Sequence, residues 1–182
     1  MDKKARIKQW IANDLERMQA LNAAADLGLP DWCLAAGFVR NLVWDKVHGY
    51  SQATVLNDVD LIYFDTADTA ESRDRALEQQ LADVMNIPWS VKNQARMHQR
   101  NGDAHYKSTS DAMSYWVEVE TAVGAAMDNA GDIILVSPFG FDALFDLTVT
   151  INAKRPKPSD FHDRMARKRW LDIWPRLVVN AG

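Results

Sequence analysis

A single cysteine, Cys33, stands in a chain of 182 residues. One thiol excludes an internal disulfide framework and suits a reducing compartment, so a cytoplasmic protein is expected. Cys33 sits inside an apolar run and reads as core. No apolar run approaches the roughly 20 residues needed to cross a bilayer, and the opening MDKKARIKQW lacks the apolar centre of a secretory leader. Neither sign of charge dominates: 21 Lys and Arg against 25 Asp and Glu leave a formal net charge of −4. The surface as a whole is therefore no attractor for polyanions, and such a ligand must find a local basic patch. The Walker pattern G-x-x-x-x-G-K-[ST] and the hydrolase elbow G-x-S-x-G are both absent. No histidine or cysteine pair has zinc-ligand spacing, and His48 and His105 read as ordinary surface histidines. Repeats, low-complexity tracts and linkers are missing too.

What is present is ordinary globular composition, with 47% hydrophobic and 25% charged residues, enough for one domain with a real core. Ile7, Ile11, Leu15, Met18 and Leu21 recur at helical spacing and predict an N-terminal helix over 4–28, ended by Gly28 and Pro30. A core of alternating strands and helices follows over 32–152. Trp32–Ala36 reads as a strand, 37–49 as a helix closing near Gly49, and 58–64 as the next strand. Residues 70–85 read as a helix with Ala76, Leu77, Leu81 and Val84 inward, and Trp89 to about Met97 as an extended segment. A polar loop spans 100–108 and a short helix 109–115. WVEVETAV, 116–123, alternates strictly and predicts a strand. DIILVS predicts another, PFGFDALFDL a turn into a short helix. A last helix is expected over 159–174, capped by Ser159 or Asp160 and stopped by Pro175. The class is α/β or α+β, a mixed sheet flanked by helices.

NDVDLIYFD, 57–65, is the stretch that asks for chemistry. Strands avoid aspartate, yet Asp58 and Asp60 stand two apart and share a face, roughly 6.6 Å apart along the chain. Two carboxylates that close repel unless something neutralises them. A divalent cation does so, and Mg²⁺ favours a few carboxylates together with water and substrate phosphates. The alternative is a solvated strand entrance with Asn57 and Asp58 in a turn. Upstream, AAGFVRN gives a strand end, Gly37, and a helix whose first turn offers free N–H groups and the positive dipole end to a phosphate. Arg40 in that turn can reach a phosphate or brace an aspartate.

AGFVRN followed by DVD resembles the nucleotidyltransferase superfamily, the polymerase beta-like fold shared with poly(A) and CCA-adding enzymes. The CCA-adding branch writes GGxVRD and then Asp-hydrophobic-Asp. Gly37, Val39 and Arg40 match, whereas Ala36 stands at the first glycine and Asn41 at the last aspartate. AGFVRNLVWDKVHG, DVDLIYFD, VKNQARMH, ETAVG, PFGFDALFDL and MARKRWLDIWPRL resemble a small bacterial family of that kind across about residues 35–177. The resemblance implies transfer of a nucleoside monophosphate from an NTP to an acceptor, with Mg²⁺ or Mn²⁺ as cofactor. It implies Asp58, Asp60 and a third carboxylate, Glu118, as catalytic and metal-binding residues, with Glu120 the competitor for the third place. Gly37 and Arg40 are then expected to hold phosphates. The acceptor is open: a small molecule, an RNA end or a protein side chain.

VKNQARMH is polar for a strand. Strand alternation puts Lys92, Gln94, Arg96 and His98 on one face, with Lys92 and Arg96 as candidates to hold the triphosphate; the alternative is an edge strand with a solvated face. The one basic cluster, Lys154 to Arg169, interleaves with Phe161, Trp170 and Trp174. It reads either as a polyanion-binding surface or as the solvated face of a helix packed through its aromatics. The enzyme has one rival of a different class, a nucleotide-binding sensor of the same fold without turnover, and a further one in which the acids are surface decoration of a structural protein.

Overall fold

The computed structural model describes residues 2–182. Its N-terminal segment is two helices, α1 (Lys3–Ala12) and α2 (Leu15–Ala25), where periodicity predicted one over 4–28. The Asp14 carboxylate breaks the run. It accepts from the Arg17 backbone N–H at 3.1 Å and starts a new helix as its N-cap. Ile7, Ile11 and Leu21 are buried as expected, but the restart turns Leu15 outward, 74% exposed.

The central sheet is built from β1 (Cys33–Ala35), β2 (Val59–Tyr63), β3 (Trp89–Asn93), β4 (Gly124–Met127) and β5 (Ile133–Val136), in the order β3–β2–β1–β4–β5. Only β2 and β3 run parallel, joined by α4 (Glu71–Val84); the other neighbours are antiparallel. The sheet is mixed and flanked by helices, as the pattern predicted. Between β1 and β2 lies α3 (Gly37–His48), closed by Gly49 in the left-handed conformation. β4 runs so close to β1 that a Cβ on Gly124 would stand 2.5 Å from Cys33 Sγ, which restricts that position to glycine.

One face of the sheet carries the main core. Val59, Leu61 and Tyr63 of β2 pack there with Ile7, Ile11, Leu21, Phe38 and Leu81. The even positions of β2 look the other way. Ile62 joins a small cluster with Cys33, Ala35 and Met113, and Asp60 pairs in register with Ala35. Small neighbours and a thin cover leave open space on the face that carries Asp60.

The C-terminal segment closes part of that space. β6 (Thr148–Thr150) and β7 (Val178–Asn180) form a separate parallel pair, with α8 (Pro158–Lys168) and α9 (Trp170–Ile173) between them. The expected single helix over 159–174 is interrupted at Arg169, whose φ of +50° swings α9 back. Trp170 and Trp174 then meet Trp44 edge-on, with ring centroids 5.8 and 5.0 Å away. Pro158 occupies the first turn of α8, and neither Ser159 nor Asp160 is the cap. In α4, Leu81 is buried but Ala76 and Val84 face solvent; the buried polar residue there is Asp74.

Residues 116–123 do not form the expected strand. The chain makes one bridge, Glu118 to Ile151, then a single 3₁₀ turn over Val119–Thr121. The alternation was real but had another cause. Glu118 and Glu120 are buried acids, each claiming partners off the sheet, and not the solvent-facing side of an edge strand.

Candidate active site

A cavity of about 720 Å³ opens where the entrance of β2, the first turn of α3, the end of β3 and the inner face of α8 converge. Asp58 and Asp60 both line it, as do Gly37, Arg40, Lys92 and Glu118. Arg96 does not. The strand expected to run to Met97 stops at Asn93 and gives way to a 3₁₀ turn, Gln94–Arg96, and then α5 (Met97–Asn101). That turn directs Arg96 beneath the sheet, where its Nη2 meets the buried Asp74 carboxylate at 2.6 Å. Arg96 therefore braces α4, and the expected shared face of Lys92, Gln94, Arg96 and His98 does not form. Asp74 also accepts from the Tyr63 hydroxyl at 2.7 Å, which pushes the phenol's pKa up, behind burial as the main cause.

The acidic pair is held by local folding. Asp45 of α3 accepts from Thr54 N–H and Oγ1 at 2.8 and 2.6 Å, and from Trp174 Nε1 at 2.8 Å. It ties the loop before Asp58 to both α3 and the C-terminal segment. Asp58 and Asp60 themselves join no ion pair among the described residues. Burial pushes the Asp60 carboxyl above its ordinary value and the Asp58 charge adds to this, with the Ser90 hydroxyl, Lys168 and Arg40 opposing.

Arg40 is buried across from the pair. Nη1 donates to Thr121 Oγ1 at 2.9 Å, and Nε and Nη2 donate to Asn41 Oδ1 at 3.2 and 3.0 Å. Its guanidinium lies 4.5 Å over the Trp170 ring. Burial lowers its pKa to about 10, against the raising influence of Glu118, Asp58 and Asp60. Ala36, just before α3, has φ +54° and ψ −119°, a conformation that favours glycine. Its carbonyl still accepts from Arg40 N–H at 2.9 Å, and no side chain caps α3, so the opening of that helix borders the cavity.

Glu118 is at the site but is not grouped with the aspartates. It is 0% exposed, and Arg164 Nε donates to Oε1 at 2.5 Å while Thr121 Oγ1 donates to Oε2 at 2.9 Å. Among the described residues no set of three or more His, Cys, Asp or Glu side chains is close enough to hold a metal. Glu118, expected as the third carboxylate, is engaged by an arginine 46 residues away, which leaves Asp58 and Asp60 as the expected metal-binding acids that join no ion pair. Glu120 lies outside the cavity lining and accepts from Thr150 N–H at 2.8 Å and from the Thr148 and Thr150 hydroxyls at 2.7 and 2.8 Å.

The basic segment is more than a solvated face. Lys157, which caps α8, and Arg164, Arg167 and Lys168 within it line the cavity, together with Asp160 and Asp163 of the same helix. Arg155 and Arg169 turn elsewhere, to Asp103 and Asp172. The helical spacing of Arg164, Arg167 and Lys168 gave the only sequence signal for this, and nothing local told which face of α8 turned inward.

Carboxylates outside any ion pair, the opening of a helix and basic side chains of α8 thus meet around one cavity, and such groups can receive phosphate oxygens and a cation. Residues 22–179 match the profile of a family described as nucleotidyltransferase. A protein whose NMR structure is described as revealing a CCA-adding enzyme head domain superposes with a TM-score of 0.87 at 30% identity, over 99% of this chain and 97% of that one. A CCA-adding enzyme in complex with ATP gives 0.54 at 12% identity, over 94% of this chain and 43% of that one. The complex with CTP gives 0.51 at 12% identity, over 99% and 41%. These last two share the fold, and the chain spans less than half their length. No curated protein matches.

Proposed function

Because the chain belongs to the nucleotidyltransferase family, we propose that it transfers a nucleoside monophosphate from an NTP to an acceptor hydroxyl. The acceptor oxygen forms a bond to the α-phosphorus, the bond from that phosphorus to pyrophosphate breaks, and the hydroxyl proton passes to solvent. The observation that carries this reading is the unpaired Asp58–Asp60 couple facing the opening of α3 inside one cavity.

The residues present fit a divalent metal. Two hard oxygen donors share a wall, burial and then the Asp58 charge raise the Asp60 pKa, and neither carboxylate joins an ion pair among the described residues. Asp58 and Asp60 would hold Mg²⁺ or Mn²⁺, which when bound supplies Lewis-acid stabilisation of phosphate charge. The remaining work belongs to the chain. The N–H groups opening α3 at Gly37 receive phosphate oxygens. Arg40, fixed by Thr121 and Asn41 and stacked on Trp170, stabilises their charge from a preorganised position. Arg164, Arg167 and Lys168 close the phosphate side from α8. Glu118 acts through others: one carboxylate orients Arg164 directly and Arg40 by way of Thr121. Catalysis here is positioning and charge stabilisation.

One observation favours the sensor reading, nucleotide held without turnover. The third carboxylate is occupied by Arg164 and Thr121. Calorimetry of the four NTPs with and without Mg²⁺, on wild type and Asp58→Ala/Asp60→Ala, tests the site. Metal-dependent binding lost in the variant supports it, and folded wild type that binds no NTP overturns it. Pyrophosphate release with acceptors present then separates enzyme from sensor.

A further inference from the structure

Within the reading of an NTP site at α3 and α8, the opposite wall of the cavity is left over, and it has its own chemistry. β2 lies between β1 and β3 in the sheet, so the aspartate pair has two flanks. α3 follows β1 and packs against α9 through Arg40 and Trp170. On the other flank, the end of β3 and α5 bring Lys92, Gln94, Arg100 and Asn101 to the cavity. Lys92 and Arg100 join no ion pair among the described residues. Gln94 is only 4% exposed. Its Nε2 donates to Lys92 O at 3.3 Å, and its Oε1 has no donor among the described residues. That oxygen is open to the cavity and not a buried unsatisfied atom, so a water or a ligand hydroxyl can complete it there.

We infer that this β3–α5 wall is the acceptor subsite and that the acceptor is a hydroxyl compound carrying a phosphate group. Lys92 and Arg100 receive the phosphate, and Gln94 Oε1 accepts from a hydroxyl. The sequence pattern expected Lys92 to hold the triphosphate; its place across the acidic pair from α3 and α8 assigns it to the other substrate. A ribose phosphate, free or at the end of an oligoribonucleotide, has both features. The two unpaired cations of this wall favour an anionic acceptor over a polycationic one, although Asp160 and Asp163 line the same cavity from α8.

The test measures binding of three probes by calorimetry on the full chain: ribose 5-phosphate, a 5′-phosphorylated diribonucleotide, and unphosphorylated ribose. Mg²⁺-dependent NTP binding is measured in parallel. Phosphorylated probes should bind at least about tenfold more tightly than ribose, and Lys92→Ala/Arg100→Ala should remove that difference while NTP affinity stays in place. Preference between the two phosphorylated probes tells a small sugar phosphate from an RNA end. Equal affinity for ribose and its phosphate overturns the inference, as does failure of every probe. Loss of NTP affinity in the double variant also overturns it, because the two cations then serve the triphosphate. Wild type that binds phosphorylated probes but no NTP leaves this subsite standing and sinks the nucleotide reading, so the two failures are distinguishable.

Discussion

The chain holds two acidic pairs at the same spacing, Asp58 with Asp60 and Glu118 with Glu120, and it treats them in opposite ways. Both glutamates are buried, at 0% and 2% exposure, and fully partnered. Arg164 and Thr121 take Glu118; Thr148 and Thr150 take Glu120. The aspartates line a cavity and join no ion pair among the described residues, with Lys168 and Arg40 acting on Asp60 only from a distance. Identical spacing therefore carries no function by itself. Where the fold supplies partners, a buried carboxylate is architecture; where it supplies open space and no ion pair, the carboxylate is free to meet a ligand, as proposed for Asp58 and Asp60.

The largest break in that comparison should come from Glu118→Ala. It strands Arg164 and deprives Thr121 of its acceptor beside Arg40, and an uncompensated charge of this kind costs about 3 kcal/mol. Urea unfolding measures it, and Arg164's access to the cavity puts the cost at the low end of the usual range. Asp58→Ala/Asp60→Ala should do the reverse: fold at least as stably as wild type, yet lose Mg²⁺-dependent NTP affinity by about 30-fold or more, roughly 2 kcal/mol. A fall in stability with unchanged NTP binding would put the aspartates in the same class as the glutamates.

Glu120→Gln sharpens the contrast within the glutamates. It removes charge from three hydrogen bonds outside the cavity and should cost about 1 kcal/mol of stability. NTP affinity should be untouched, and calorimetry checks that beside the unfolding curve. Asp60 adds a pH signature. Its carboxyl binds a proton more tightly when folded than when unfolded, so it favours the folded state in acid. That advantage fades as pH rises from the ordinary aspartate value through the raised folded one. Asp60→Asn should gain stability relative to wild type across that window, seen as converging midpoints when thermal unfolding is repeated toward lower pH.

Local signals were readable and distant ones were not. β2, α3 with its Gly49 stop, and β5 follow from periodicity and turn residues that act within a few positions. That Asp58, Asp60, Gly37 and Arg40 come together at one cavity was legible because a glycine turn, a helix start and a paired acid carry meaning within one stretch. Residues 116–123 misled because buried acids copy the alternation of an exposed edge, and their partners other than Thr121 lie 28 to 46 residues away. Arg96 misled for a similar reason: a 3₁₀ turn ended the alternation, and the buried Asp74 that draws it in belongs to another element. The cavity-facing side of α8 depends on Arg164 meeting Glu118, which no local pattern encodes.

The smallest effect tests the turn that feeds the cavity. Ala36 occupies a backbone conformation, φ +54° and ψ −119°, that a Cβ resists and glycine accepts. The strain there is of order 1–3 kcal/mol. Glycine recovers it, less about 0.4–1 kcal/mol for the freedom that glycine adds to the unfolded chain. Ala36→Gly should therefore stabilise by about 1 kcal/mol, or about 2–4 °C in Tm for a chain of this size. The same change removes a methyl group where the opening of α3 would meet a phosphate, so NTP affinity should hold or rise. A variant that is more stable but binds NTP less tightly would mean the strained alanine positions the helix opening for the ligand, and the turn would then join the aspartates as a place where the fold gives up stability for binding.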